Sequence, residues 1–130
     1  MKRILSIDDE QPILQVLERI LGSRGYDVTT CNDPHAAHDV FKNGEFDLIT
    51  LDIRMPGKSG FEVYKEIREY ADLPALFCTA YPKSFTADSE DVVAMWQEQF
   101  ADGNTDIIYK PFDLDDLFAK VEGLIGTADE

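Results

Sequence analysis

The chain has 130 residues, of which 44% are hydrophobic and 29% charged, and this is the length and composition of one globular domain. Twelve basic and 26 acidic residues give a net charge of −14, so the surface repels nucleic-acid phosphates and anionic lipid, and we expect no direct binding to nucleic acid or membrane. Cys31 and Cys78 lack metal-ligand spacing, and we expect buried thiols in a reducing, cytoplasmic protein.

Five short apolar runs predict five strands. In chain order they cover residues 4–7, 28–31, 48–51, 75–78 and 107–109. Continuous apolar runs of this length are typical of strands that are buried on both faces of a parallel sheet.

A stretch with helical periodicity follows each predicted strand. Asp33 and Pro34 have the pattern of an N-cap and a first-turn proline, and they predict where the second helix begins. Asp88 or Ser89 is predicted to cap a fourth helix, and Asp113 is predicted to cap the last one.

Five strand–helix units predict an α/β fold, a doubly wound five-stranded parallel sheet with helices on both faces. Periodicity does not determine the strand order, and the flavodoxin-like order 2-1-3-4-5 is the common arrangement of five strands. We expect one domain over residues 1–126, a C-terminal tail over residues 127–130 and no output domain in this chain.

Five polar side chains follow the predicted strands directly, namely Asp8, Asp9, Asp52, Thr79 and Lys110. Because the carboxyl ends of parallel strands meet at one edge of a sheet, we expect these side chains to converge there. Three clustered carboxylates repel one another, and a hard divalent cation such as Mg²⁺ relieves that repulsion. With the ammonium of Lys110 and the hydroxyl of Thr79, the set suits phosphoryl transfer to an acid side chain.

Each of these side chains also has a simpler explanation when taken alone. Asp8 and Asp9 could cap the first helix, and Asp52 could be a loop acid. Thr79 could be an ordinary strand residue and Lys110 a strand exit. Their occurrence together, each at a strand end, favours one shared site.

The sequence closely resembles the response regulator receiver domain of bacterial two-component signalling over essentially its whole length. The matching segments are Ile7-Asp8-Asp9-Glu10, Leu51-Asp52-Ile53-Arg54-Met55-Pro56-Gly57 with Ser59-Gly60, Thr79-Ala80 and Lys110-Pro111-Phe112. The resemblance implies a phosphorylation-dependent switch that assists its own phosphorylation and dephosphorylation, rather than an enzyme.

The resemblance also implies a metal site. Asp52 would be the phosphoacceptor. Asp9, Asp52 and the backbone carbonyl of Arg54 would bind Mg²⁺ directly, and Asp8 would bind it through water.

Three further residues have implied roles. Lys110 would pair with the phosphoryl group, Thr79 would be the switch hydroxyl, and Tyr109 occupies the aromatic switch position. The phosphodonor would be a sensor histidine kinase or a histidine phosphotransfer protein. Phosphorylation would change the face formed by the predicted fourth helix, fifth strand and fifth helix, where a downstream protein, or a second copy of the chain, would bind.

The stretch between Thr79 and Lys110 is longer than in most receivers. The added residues lie within 81–104. They form either a neutral surface insertion or a reshaped output face.

Three other functions are compatible with a fold of this class. An aspartate-nucleophile phosphatase needs a second acid two residues after the first, and Arg54 stands there. A flavin carrier needs a hydroxyl- and glycine-rich phosphate loop after the first strand, where this chain has Asp8 and Asp9. An interaction module that works without phosphorylation remains the main alternative.

Overall fold

The computed structural model describes residues 2–79, 105–110 and 112–127. The strands are β1 (Arg3–Ile7), β2 (Asp27–Cys31), β3 (Leu48–Asp52), β4 (Ala75–Thr79) and β5 (Thr105–Tyr109). The described helices are α1 (Gln11–Ser23), α2 (Ala37–Lys42), α3 (Gly60–Arg68) and a helix over Leu114–Ile125, called the last helix below.

The five strands form one parallel sheet in the order β2-β1-β3-β4-β5. At its centre, Ser6 of β1 is in register with Thr30 of β2 on one side and Thr50 of β3 on the other. This arrangement confirms the predicted fold class and strand order. The order changes direction between β1 and β3, and the carboxyl ends of strands at such a point border a crevice.

Alternate strand residues supply two hydrophobic cores, one on each face of the sheet. Leu5 and Leu51 belong to the core that includes residues of α2 and α3. Ile4 and Leu48 belong to the core that includes residues of α1 and the last helix. Since burying one such side chain contributes about 1.5–3 kcal/mol, both cores hold the strand ends in fixed positions.

Two helices begin at side-chain caps. Ser59 Oγ accepts a 3.1 Å hydrogen bond from the Glu62 amide at the start of α3. Asp113 Oδ1 accepts a 3.2 Å hydrogen bond from the Asp116 amide at the start of the last helix, which confirms the predicted cap. These bonds satisfy amides that have no partner within the helix.

The second helix begins later than the sequence predicts. It starts at Ala37, and Asp33 caps a turn that precedes it. Asp33 Oδ1 accepts a 2.9 Å hydrogen bond from the His35 amide, and its carbonyl accepts one of 3.1 Å from Ala36. The prediction was wrong because an Asp side chain that bonds the backbone two residues on stabilises a turn as well as a helix start.

Several predictions fall on residues outside the described ranges. These are the predicted fourth helix with its cap at Asp88 or Ser89, the long stretch within 81–104, and most of the predicted tail. The side chain of Thr79 also lies outside the description, although its backbone ends β4.

Candidate functional site

Acidic and basic side chains meet where β1, β3 and β5 end. Asp8 and Asp9 directly follow β1, Asp52 is the last residue of β3, and Lys110 directly follows β5. The Asp8 amide continues the sheet with a 3.1 Å hydrogen bond to the carbonyl of Cys31. Asp8 is therefore held in strand geometry one residue beyond β1.

Three carboxylates lie close together in the site. One oxygen each from Asp8, Asp9 and Asp52 can be chosen so that all three lie within 4.8 Å of one another. Asp8 is 1% exposed and Asp52 is 5% exposed, whereas Asp9 is exposed. Two acids are thus buried at the sheet edge, and the third faces solvent.

Lys110 supplies the positive charge of the site. Its Nζ lies 2.8 Å from Asp8 Oδ2, 3.6 Å from Asp52 Oδ2 and 3.8 Å from Glu10 Oε2. The Lys110 side chain is 9% exposed, so these interactions are poorly screened by water. The ammonium hydrogen-bonds Asp8 and lies within ion-pair distance of the predicted phosphoacceptor.

The buried, acidic surroundings of Asp52 change its pKa. Burial, followed by the charge of Asp8, raises the pKa of Asp52 from its ordinary value of 3.8 to about 7, although Lys110 opposes the shift. Burial disfavours the charged form of Lys110, but the hydrogen bond that Lys110 donates to Asp8 and the charge of Asp52 outweigh burial, so the pKa of Lys110 is raised. The site therefore holds more negative charge than its one ammonium balances.

The loop after β3 is positioned from Asp52 itself. The Arg54 amide donates a 3.3 Å hydrogen bond to Asp52 Oδ1. Gly57 allows the chain to turn there with a φ of +81°, a conformation that side chains disfavour. Arg54 is exposed, as expected for a residue whose predicted contribution is its backbone carbonyl.

Two predicted switch residues lie at the ends of neighbouring strands. Thr79 and Tyr109 are in register across β4 and β5. Tyr109 is partly buried and packs against the core that includes α2 and α3 residues. The structure thus brings both backbones to the carboxyl edge of the sheet.

Sequence reasoning missed the position of Glu10. Its carboxylate lies 3.8 Å from Lys110 Nζ, and it is the N-cap residue of α1, without a side-chain capping bond. The Glu10 amide instead donates a 2.9 Å hydrogen bond to Asp8 Oδ1. The only sequence signal was its place directly after Asp9 at the same strand exit.

Cys78 lies beside the acid cluster, in register with Asp52 across β3 and β4. It is 1% exposed, and burial raises the pKa of its thiol well above the usual range. Cys31 is also buried and free, at 7% exposure. The predicted burial of both cysteines is confirmed.

The residues at this edge fit a hard divalent cation. Carboxylate oxygens are the ligands that Mg²⁺ prefers, and it is commonly held by one or two carboxylates together with waters and phosphate oxygens. Burial, followed by the charge of Asp8, raises the pKa of Asp52, and a bound dication would favour the ionised form of this carboxylate. The exposed position of Asp9 leaves one side of the cluster open to solvent.

Comparison with known proteins gives a consistent assignment. A sequence model of the family "response regulator receiver domain" matches residues 4–122. The response regulator TrrA of Thermotoga maritima, solved in complex with Mg²⁺ and BeF, is 35% identical, with a TM-score of 0.78 over 95% of this chain and 99% of that chain. The chemotaxis protein CheY4 of Vibrio cholerae is 28% identical, with a TM-score of 0.79 over 95% of this chain and 98% of that chain.

A third solved structure has a similar fold. The CheY-like receiver domain protein of Methanospirillum hungatei is 25% identical, with a TM-score of 0.78 over 95% of this chain and 92% of that chain.

Among the helices described here, none has the length and apolar character needed to cross a membrane.

Proposed function

Because this chain belongs to the response regulator receiver domain family, we propose that it is a phosphorylation-dependent signalling switch in which Asp52 is the phosphoacceptor. The observation that carries the proposal is the convergence of Asp8, Asp9 and Asp52 with Lys110 at one edge of the sheet. Receiver domains act in two-component signalling as switches, and the acidic pocket fits that activity.

Asp52 would act as the nucleophile. One carboxylate oxygen attacks the phosphorus of a phosphohistidine on a sensor kinase or phosphotransfer protein. The P–O bond forms as the P–N bond breaks, and the released imidazole takes up a proton from solvent. The Arg54 amide, 3.3 Å from Oδ1, orients the carboxylate so that the other oxygen remains available.

Magnesium would be held by Asp9, Asp52 and the Arg54 carbonyl, with Asp8 contributing through water, and its charge would stabilise the phosphoryl oxygens. Lys110 would contribute the second positive charge. Its Nζ is 3.6 Å from Asp52 Oδ2, so a phosphoryl oxygen on Asp52 would be within reach of its hydrogen bonds. This ammonium would also compensate the charge that Asp52 gains.

The readout would be the face next to β5. Thr79 ends β4 beside Tyr109 in β5, so a hydroxyl that hydrogen-bonds the phosphoryl group would change the surroundings of the aromatic ring. That local change would bias the face made by the predicted fourth helix, β5 and the last helix. A downstream protein, or a second copy of the chain in a homodimer, would recognise this face. We place the protein in the cytoplasm with its kinase partner.

The test is phosphorylation by ³²P-labelled acetyl phosphate with Mg²⁺, using Asp52→Asn as the key variant. Asp72→Asn is the matched control, because Asp72 is an exposed acid beyond the end of α3, where it pairs with Arg68. We expect labelling of wild type and of the control, and none of Asp52→Asn. Robust labelling of Asp52→Asn would contradict the proposal, and failure of acetyl phosphate to label wild type would favour a phosphorylation-independent interaction module.

A further inference from the structure

The first residue of α3 lies against the backbone of Asp52. A Cβ atom added to Gly60 would come within 2.3 Å of the Asp52 carbonyl oxygen and 3.0 Å of its carbonyl carbon. It would also lie 3.3 Å from the Cα of Ile53. All three are backbone atoms, which have no rotamer by which to move aside.

The same backbone is held from two sides. The Ile53 amide donates a 3.2 Å hydrogen bond to the carbonyl of Cys78 in β4. The Gly60 amide donates a 3.1 Å hydrogen bond to the carbonyl of Ile53. The backbone directly after Asp52 is thus held between β4 and the first residue of α3. A side chain at Gly60 would force this backbone or α3 to shift.

We propose that Gly60 is a positioning residue for Asp52, because its lack of a side chain lets α3 rest on the Asp52 carbonyl and thereby sets where the Asp52 carboxylate lies relative to Asp8 and Asp9. This inference rests on the proposed function of Asp52 as phosphoacceptor and cation ligand. It gives the close approach of α3 to the Asp52 backbone a role in the chemistry of the site as well as in packing.

The carboxylate follows the backbone because it hangs from the same Cα through one Cβ. One oxygen from each of Asp8, Asp9 and Asp52 can be chosen so that the three lie within 4.8 Å of one another. The Asp52 oxygens must stay this close to those of Asp8 and Asp9 if the three acids are to share a cation. Mg²⁺ demands near-ideal ligand geometry, with oxygens about 2.0–2.1 Å away. A shift of several tenths of an ångström at Asp52 therefore weakens cation binding and misaligns the nucleophile.

The experiment compares alanine substitutions at three helical glycines. Gly60→Ala introduces the clash, whereas within the described structure a Cβ at Gly22 or Gly123 would meet nothing within 4 Å. The affinity for Mg²⁺ alone is measured by calorimetry, and the rate of phosphorylation by acetyl phosphate is measured separately. We expect Gly60→Ala to weaken Mg²⁺ binding about tenfold or more and to slow phosphorylation about 10- to 100-fold. The two control variants should stay within about twofold of wild type.

A second variant separates the placement of Asp52 from the stability of α3. Ser59→Ala removes the cap bond to the Glu62 amide but adds no atom near Asp52. We expect a melting temperature about 3–6 °C lower with unchanged Mg²⁺ affinity in the folded protein. If Ser59→Ala weakens Mg²⁺ binding as much as Gly60→Ala does, the effect belongs to α3 stability and the proposal is wrong.

The outcome can be read even if Gly60→Ala is unstable. The substitution is then made in a Gly22→Ala/Gly123→Ala background, since alanine in an open helical position stabilises the fold. Folded Gly60→Ala protein with wild-type Mg²⁺ affinity, or a variant that does not fold in this background, would overturn the positioning role. Wild type that binds Mg²⁺ but is not phosphorylated would instead count against the proposed function, and the Mg²⁺ comparison would still decide the role of Gly60.

Discussion

Lys110 Nζ donates a 2.8 Å hydrogen bond to Asp8 Oδ2, joining the ends of β5 and β1 across the acid cluster. The partner is Asp8 rather than Asp52, whose Oδ2 lies 3.6 Å from the same nitrogen. In this resting arrangement, Lys110 neutralises the most buried acid and leaves the proposed phosphoacceptor undercompensated. A phosphoryl group on Asp52 would then compete with Asp8 for the ammonium.

Replacing Lys110 should harm both stability and phosphorylation. Lys110→Met leaves two buried carboxylates without their cation, so we expect a loss of about 1–3 kcal/mol in the free energy of unfolding at pH 8, and less at pH 5. Phosphorylation by acetyl phosphate should slow by about tenfold or more. Urea unfolding and ³²P labelling measure the two effects. Lys65→Met, at an exposed position of α3, is the control and should change neither.

The stability of the cation-free protein should fall as pH rises through the range in which Asp52 titrates. Its pKa is raised from 3.8 unfolded to about 7 folded, so the folded state binds more protons in between. The contribution of Asp52 is therefore favourable below about pH 4 and is lost by about pH 7. Urea unfolding in EDTA measures the free energy of unfolding at each pH. Between about pH 4 and about pH 7, that free energy should fall by about 1–3 kcal/mol more in wild type than in Asp52→Asn. Parallel curves for the two proteins would contradict this origin of the shift.

Magnesium should stabilise the folded protein by mass action. At about 100 times its dissociation constant, a ligand that binds only the folded state adds about 2.7 kcal/mol. Asp9→Asn removes the exposed carboxylate of the cluster, so the Mg²⁺-dependent rise in melting temperature should shrink or vanish. Glu18→Gln removes an exposed acid of α1 and should keep the full rise. An unchanged rise in Asp9→Asn would remove Asp9 from the cation site.

The cap of the last helix should contribute to stability without affecting the chemistry. Asp113→Ala loses the 3.2 Å hydrogen bond to the Asp116 amide, which should cost about 1 kcal/mol. Asp115→Ala removes only a first-turn charge, worth a few tenths of a kcal/mol. Thermal unfolding should rank the two variants in that order, with wild-type rates of phosphorylation for both. A slower rate in Asp113→Ala would show that the start of the last helix contributes to the site.

The strands and the cap of the last helix were predicted correctly from residues that are close together in the sequence. Apolar runs placed all five strands to within a few residues, and Asp113 proved to be a cap, because these features depend on neighbouring residues. The start of α2 was misplaced because Asp33 satisfies a local turn before the helix. The hypothesis that Asp8 and Asp9 simply cap the first helix does not match the structure, in which Glu10 is the N-cap residue.

The sequence by itself determined which chemical groups stand at the strand ends and, through the parallel fold, that they share one edge of the sheet. Only the tertiary structure decided that Lys110 bonds Asp8, that Asp52 is buried with a raised pKa, and that Gly60 lies on the Asp52 carbonyl. The physical reason is that side-chain periodicity reports the local conformation of the chain. Distances between residues of different strands and helices depend on sheet register, twist and helix docking, which arise when both cores pack.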